Sequence, residues 1–272
     1  MRTGFARRRR TGVVGLVLMD ATQAPDAIGY LDAVAASDPG REYKRHLLAA
    51  LDIRPGQVVL DVGCGPGTDL GALASAVGGA GTVVGIDRDP VMVARARSRI
   101  GGTGNVSVHV GDAHALPLAD ASVDRARTDR VLQHVDSPAR ALGELRRVIR
   151  AGGLVGFAEP DWDTLVVDDD DVPASRAFAR FLAGRVRNAT LGRELPRLLE
   201  AAGFTVGTVS ARPVLLRDFV VAEQILGLRR NVARAVEAGA LDAGTAKAWL
   251  RRRETDPFLA AFTWFAVTAT PA

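Results

Sequence analysis

The sequence predicts an α/β fold, a parallel sheet wound on both faces by helices. Three observations predict it. A short β-branched run near 57–61, Val58-Val59-Leu60-Asp61, leads through Val62 into Gly63-Cys64-Gly65-Pro66-Gly67-Thr68, after which a helical pattern begins. That is how a buried parallel strand reads when its C-terminal end turns tightly into a helix. Further strand-like runs lie near 82–87, 106–110, 123–128 and 153–159, with helical stretches near 68–77, 89–100 and 137–150. Short-linked alternation of this kind places helices on both sides of a parallel sheet. Finally, Asp89-Pro90 and Ser137-Pro138 each pair an N-cap residue with a first-turn proline, which marks helix starts.

Taken in chain order, the first stretch is set apart by charge. The net charge of +4 equals the contribution of Arg7, Arg8, Arg9 and Arg10, so the remainder is close to neutral. The other arginines are scattered, and no nucleic-acid surface is expected. Arg7 to Ala24 imitates a short secretory signal, but its apolar run is well below the roughly 18–20 residues of a membrane span. Residues 1–22 are expected to be a disordered or non-native extension, with Met19 as the natural start, and residues 23–272 to form one domain. Cys64 is the only cysteine, which rules out an internal disulfide and fits a reducing, cytoplasmic location.

Two helices, Ala24 to Ala36 and Gly40 to Leu51, are expected ahead of the sheet. In the second, Tyr43, Leu47, Leu48 and Leu51 share one face, opposite Arg41, Lys44 and Arg45. After Glu159 the rhythm changes. Pro160 to Leu165 reads as a polar loop, and Asp168 to Asp171 as a solvated acidic turn rather than a magnesium site, so no metal is expected. Helices follow near 174–186 and 191–202, a strand over 204–210, helical stretches near 219–238 and 242–253, and a last strand over 259–268.

The glycine loop points to a ligand at the carboxyl ends of the strands. Gly63, Gly65 and Gly67 form Gly-x-Gly-x-Gly, with Thr68 where a dinucleotide fingerprint needs its third glycine, and no Gly-Lys-Ser/Thr follows. Asp61 would repel a pyrophosphate and suits a ligand carrying an ammonium group. Asp87, twenty residues after Gly67 at the end of the next strand, is placed to accept ribose hydroxyls. Asp112 ends the strand after that.

With these residues in place, the chain resembles the class I S-adenosylmethionine (SAM)-dependent methyltransferases, in particular the ubiquinone/menaquinone-biosynthesis type and related bacterial natural-product enzymes. The resemblance covers Arg41 to Glu159, through Asp-Val-Gly-Cys-Gly-Pro-Gly, Asp87, Asp112-Ala113 and the segment from Glu144 to Gly153. It implies a Rossmann-like, seven-stranded sheet whose last strand is antiparallel and inserted between the fifth and sixth, with helical insertions as a lid. It also implies SAM as cofactor, S-adenosylhomocysteine as product, and a small-molecule acceptor. The cofactor would meet Asp61, Gly63, Cys64, Gly65, Gly67 and Arg88, with Asp87 at the ribose and Asp112 and Ala113 at the adenine. Thr128, Asp129 and Arg130 would face the methionine, although Arg130 also reads as a loop-edge surface residue.

Methyl transfer from a sulfonium needs alignment and desolvation and at most one or two acid–base groups. His134 is the leading candidate base, with a capping role as the alternative; Glu159 could orient an acceptor hydroxyl or act as the base. Tyr30, Tyr43 and Trp162 are acceptor-binding candidates, with packing as the alternative. Cys64 reads as packing rather than nucleophile. The expected function is methylation of an oxygen or carbon of a secondary metabolite or quinone-like compound. The alternative is a SAM-binding protein that cyclises its substrate or plays another non-methylating role. A homodimer is compatible with the chain but not read from it.

Overall fold

The computed structural model describes residues 27–272, without the side chains of Ala27, Tyr30, Ala33 and Pro39. The expected extension over 1–22, the start at Met19 and the first residues of the leading helix lie outside the described residues, as does the Tyr30 side chain. Helices α1 (Ala27–Ala36) and α2 (Asp38–Ala50) precede β1 (Val58–Val62), α3 (Leu70–Val77), β2 (Thr82–Asp87), α4 (Pro90–Ile100), β3 (Val106–Val110), β4 (Val123–Asp129) and α5 (Pro138–Val148). β5 (Ile149–Val167), α6 (Val172–Ala183), α7 (Leu191–Ala201), β6 (Phe204–Leu216), α8 (Phe219–Leu226), α9 (Leu228–Glu237), α10 (Ala243–Thr255) and β7 (Ala260–Pro271) complete the chain.

The seven strands form one sheet in the order β3-β2-β1-β4-β5-β7-β6. The first five run parallel, and β7 is antiparallel to both β5 and β6. This is the doubly wound, Rossmann-like sheet expected. One core joins α3 and α4 to β1 and β2; a second joins α5 and α7 to the middle strands. The proline-marked helix starts are capped as expected: Asp89 Oδ1 accepts from Val91 N, and Ser137 Oγ from Arg140 N.

Past Glu159 the structure departs from expectation. Pro160 to Leu165 is no loop, because β5 continues to Val167 and pairs with β7. β4 stops alongside Ala158, so the outer edge of β5 is open beyond that point. Trp162 N faces this edge and donates to Ala189 O at 2.9 Å. Two residues earlier in the strand, the Pro160 nitrogen faces the same side, where a missing N–H breaks no ladder bond. β6 likewise runs through Pro213 to Leu216, tolerated because β6 is the sheet edge.

The helical stretch near 219–238 is two helices, broken at Gly227 in a left-handed conformation with φ +56°. The acidic run is not wholly a solvated turn. Asp169 is buried and ion-paired with Arg252 and Arg253 of α10, and Asp171 caps α6 by accepting from Ala174 N. Helices α6, α8, α9 and α10 pack with α1–α2 and the extended ends of β5–β7 in a third core, around Phe178, Trp249, Phe262 and Trp264. No helix among the described residues is long and apolar enough to cross a membrane.

Candidate active site

A cavity of about 260 Å³ opens at the carboxyl ends of β1, β2 and β4. The glycine loop forms its floor and is fastened to β2 by Gly63 N and Cys64 N, which both donate to Ile86 O, at 2.7 and 3.0 Å. Gly63 has φ +69°, and a Cβ there would lie 2.2 Å from Val131 Cγ2. Gly65 has φ +54° with nearly open space beside it, so backbone conformation rather than room requires glycine. Gly67 does not line the cavity; a Cβ there would sit 3.0 Å from Ala96 Cβ, and its work is the close approach of α4. The Cys64 thiol is pushed up by burial and by Asp61 and Asp87, and its sulfur packs over Gly85, which fits packing and not nucleophilic chemistry.

At one end of the cavity, Asp87 accepts from Gly65 N at 2.8 Å and from Asp89 N at 2.9 Å, one bond on each oxygen. Burial still lifts its carboxyl above the usual range, against those two N–H donors. A carboxylate with accepting capacity left on both oxygens suits a pair of hydroxyls. Arg88, Asp112 and Ala113 line the same end. Asp112 Oδ1 takes both His114 N (2.9 Å) and His114 Nδ1 (2.7 Å), which leaves Oδ2 for a donor such as an amino group. His114 Nε2 in turn accepts from Ser137 N at 3.2 Å, fitting the neutral Nδ1–H form and tying Asp112 to the start of α5.

The other end is a buried cluster of charge. Arg127 stands in β4 with its Nε 3.1 Å from Asp61 and its Nη2 2.8 Å from Asp69 and 3.1 Å from Asp129. Lys44 of α2 bridges Asp69 and Asp129, and the Tyr43 hydroxyl donates to Asp129 at 3.2 Å. Burial opposes charge throughout, yet Arg127 and Lys44 hold Asp69 down at about 2. Asp61 differs: burial outweighs Arg127 and lifts it to about 6. Its contact with Arg127 is an ion pair without hydrogen-bond alignment, since Arg127 Nε makes no hydrogen bond. An elevated, cavity-lining carboxyl is what an incoming ammonium would bring back down. Hydroxyl acceptors at one end and a charge-reading cluster at the other fit a nucleoside with a zwitterionic tail.

Asp129 and Arg130 line this end; Arg130 adopts φ +58°. Thr128 does not, being fully buried between β1 and β5. His134 lines the cavity, and its Nδ1 is buried with no hydrogen-bond partner among the described residues. Burial, then Arg130, Arg88 and Arg187, lower it to about 4, so it is neutral at ordinary pH.

Glu159 corrects expectation most sharply. It is sealed away from the cavity, with Oε1 accepting from Val131 N (2.9 Å) and Leu132 N (2.7 Å). Burial lifts it to about 8 against those two donors. It braces the turn after β4 and does not face the substrate side. Tyr43 and Trp162 miss the large cavity but meet at a second, of about 30 Å³, together with Arg130 and Trp264. Arg130 lines both.

Sequence reading missed Lys44, Asp69, Arg127 and Gln133. Lys44 falls opposite the apolar face of α2 in the sequence pattern, yet it is buried. The overlooked signal was β4 itself, Asp124-Arg125-Ala126-Arg127-Thr128-Asp129. A central strand carrying four charges contradicts the apolar run expected of a buried parallel strand, unless those charges neutralise one another. Gln133 Oε1 accepts from Trp162 Nε1 at 2.7 Å, a link visible only in three dimensions.

Comparison with known proteins agrees with this geometry. Residues 53–203 match the family model described as a methyltransferase domain. A 37.1 kDa protein of transposon Tn4556 from Streptomyces fradiae is 51% identical over 246 residues, 90% of this chain and 71% of that protein. Demethylmenaquinone methyltransferase of Staphylococcus aureus is 32% identical over 137 residues, 50% of this chain, which spans 57% of the enzyme. The crystal structure of a SAM-dependent methyltransferase from Aquifex aeolicus is 27% identical with TM-score 0.51, over 65% of this chain and 85% of that one. The matched segment runs from just before β1 to the end of α7 and so holds the glycine loop and all three strand-tip carboxylates; with SAM as its cofactor, the chain belongs to the class I SAM-dependent methyltransferases.

Proposed function

We propose that the chain moves a methyl group from SAM to an oxygen or carbon of a small-molecule acceptor of the quinone-like or secondary-metabolite kind. The observation that carries this reading is the shared wall at Arg130, which joins the cofactor cavity to a small cavity walled by aromatic rings. A polar chamber beside an apolar one suits a charged cofactor meeting an uncharged acceptor.

Asp87, Arg88, Asp112 and Ala113 would hold the nucleoside, and Asp61, Asp129 and Arg130 the amino-acid tail. Once bound, SAM supplies an electrophilic methyl on a sulfonium whose departure leaves a neutral thioether. The protein's part is then mostly alignment, which contributes on the order of 7–11 kcal/mol in well-oriented pairs. His134, lowered to about 4, is a poor proton acceptor near neutrality. Its unpartnered Nδ1 instead orients an acceptor hydroxyl. Glu159 serves by holding Val131 and Leu132, which flank the cavity turn. Such a site favours acceptors that ionise readily or carry an activated carbon.

The test is calorimetric SAM binding together with transfer of labelled methyl to phenolic, polyketide and prenyl acceptors. Asp87→Ala should weaken SAM binding by about tenfold or more, the loss of two hydrogen bonds to a charged group. Unchanged affinity would refute the cofactor assignment. Tight binding with no transfer across the whole panel would favour the non-methylating alternative.

A further inference from the structure

Resting on the cofactor placement proposed above, we propose that Asp129 couples the two cavities through Tyr43. The ammonium of a bound cofactor takes the carboxylate from the Tyr43 hydroxyl, which then turns to the acceptor side. Asp129 lines the large cavity and Tyr43 the small one, so the hydrogen bond between them spans the wall. Tyr43 is buried, with its ring stacked on Trp264 at a centroid distance of 4.1 Å. A change at Asp129 on the cofactor side therefore reaches the aromatic wall through two direct contacts.

Crowding at Asp129 decides which bond gives way. Arg127 Nη2 stands 3.1 Å from its carboxylate, Lys44 Nζ 3.0 Å and Arg130 Nε 3.6 Å. The Tyr43 hydroxyl lies 3.2 Å from each oxygen, its one proton divided between them. Two oxygens offer about four lone-pair sites, so an arriving ammonium meets a carboxylate already in use. That ammonium carries three N–H donors and can serve Asp61 and Asp129 together, since both flank the Arg127 guanidinium. The resident cations are held by charge, and Arg127 and Lys44 are tied to Asp69 as well. Tyr43 is the neutral donor, at a length beyond the roughly 2.7–2.8 Å usual for O–H···O bonds. Burial pushes its phenol up to about 12, which keeps it neutral at ordinary pH. A charge-assisted bond is roughly twice as strong as a neutral one, so the phenol is the partner displaced.

The consequence is an order of events. Before the cofactor binds, the Tyr43 hydroxyl is spent on Asp129, the Ser37 hydroxyl on Val34 O and Gly40 N, and the Trp162 indole on Gln133. Once the cofactor's tail is seated, the Tyr43 hydroxyl is released beside Trp264 and serves the acceptor. Tyr43 is thus a positioning residue that the cofactor switches on. Linkage makes the effect mutual, since an acceptor that engages the released hydroxyl tightens the cofactor in return.

The experiment compares the full chain empty, saturated with S-adenosylhomocysteine, and saturated with methylthioadenosine, which lacks the amino-acid tail. In nitrogen-15 spectra the Trp264 indole resonance should move with S-adenosylhomocysteine and clearly less with methylthioadenosine. The Trp249 resonance, from an indole bonded to Ser175 and lining neither cavity, should stay in place. Tyr43→Phe keeps the ring and removes the hydroxyl. Calorimetry should show it binding S-adenosylhomocysteine about twofold or more tighter than the parent, because no bond is given up. Loss of a merely structural contact would weaken binding instead. A wild-type Trp264 resonance that ignores S-adenosylhomocysteine, or answers methylthioadenosine equally, overturns the proposal, whether or not the variant folds. So does unchanged or weakened binding by Tyr43→Phe. S-adenosylhomocysteine still bound to the wild-type chain in those cases leaves the cofactor placement standing; its failure to bind there ends that placement and this proposal together.

Discussion

At one end of the cavity, Asp87 is held by two backbone N–H groups and Asp112 by His114. At the other end, Asp61, Asp69 and Asp129 share the buried cations Arg127 and Lys44. Both ends present carboxylates at strand tips, but the means of support sets what each can recognise. A carboxylate held by amides keeps lone pairs for neutral hydroxyl or amino donors, and its position depends only on the strand and turn. A carboxylate held in an ion cluster reads net charge, and its position depends on a cation from another part of the chain. The second arrangement is the more fragile, since removing one buried partner strands the others.

That contrast can be broken most forcefully at Arg127. Arg127→Leu should leave Asp61 without its ion-pair partner, and Asp69 and Asp129 with only Lys44 and Arg130, and cost roughly 3–5 kcal/mol, read as a lowered midpoint in urea denaturation. A variant as stable as the parent would mean the cluster is not the anchor described.

A pH titration of cofactor affinity sharpens the contrast without mutation. With Asp61 lifted to about 6, a ligand ammonium lowers that value and must displace the proton below it. SAM affinity should thus fall as pH drops below about 6, by up to about tenfold per unit, and be level above it. Methylthioadenosine, which lacks the amino-acid tail, should lose less over the same range, and Asp61→Asn should flatten the SAM curve at a lower affinity.

Glu159 allows a subtler test of bracing against chemistry. Its value is raised from 4.5 to about 8, so the folded state binds its proton more tightly than the unfolded state. The stability this confers is complete below about 4.5 and is lost as pH rises toward 8. Glu159→Gln, neutral at every pH, should gain on the parent in melting temperature over that interval. It should also keep methyl transfer within about fivefold, because it is not the base. The smallest effect belongs to His134→Gln: between about pH 5 and pH 9 it should change the level of kcat/KM but not the shape of its pH profile.

The sheet, the glycine loop and the acids Asp87 and Asp112 at the ends of β2 and β3 were legible in the chain because their causes are local. Apolar strand runs, glycines at turns, N-caps before prolines and one acid at each strand tip are all set by neighbours in sequence. The failures share the opposite cause. Pro160 and Pro213 read as breakers, and their tolerance depends on which strand edge is left open. Asp169 reads as a solvated acid until Arg252 and Arg253 arrive from more than eighty residues away. Glu159 at a strand tip looks catalytic until the turn after β4 folds over it and takes its oxygen.

By itself, then, the sequence determined the α/β winding and the placing of Asp61, Asp87 and Asp112 at three strand tips, because strand, turn and helix signals act over a few residues. Only the tertiary structure decided which charges neutralise Arg127, that Lys44 turns inward, and that Tyr43, Trp162 and Trp264 close one aromatic chamber beside Arg130. Burial and electrostatic pairing act through space, and α2, β4, β5 and β7 bring those groups together from positions that no spacing along the chain relates.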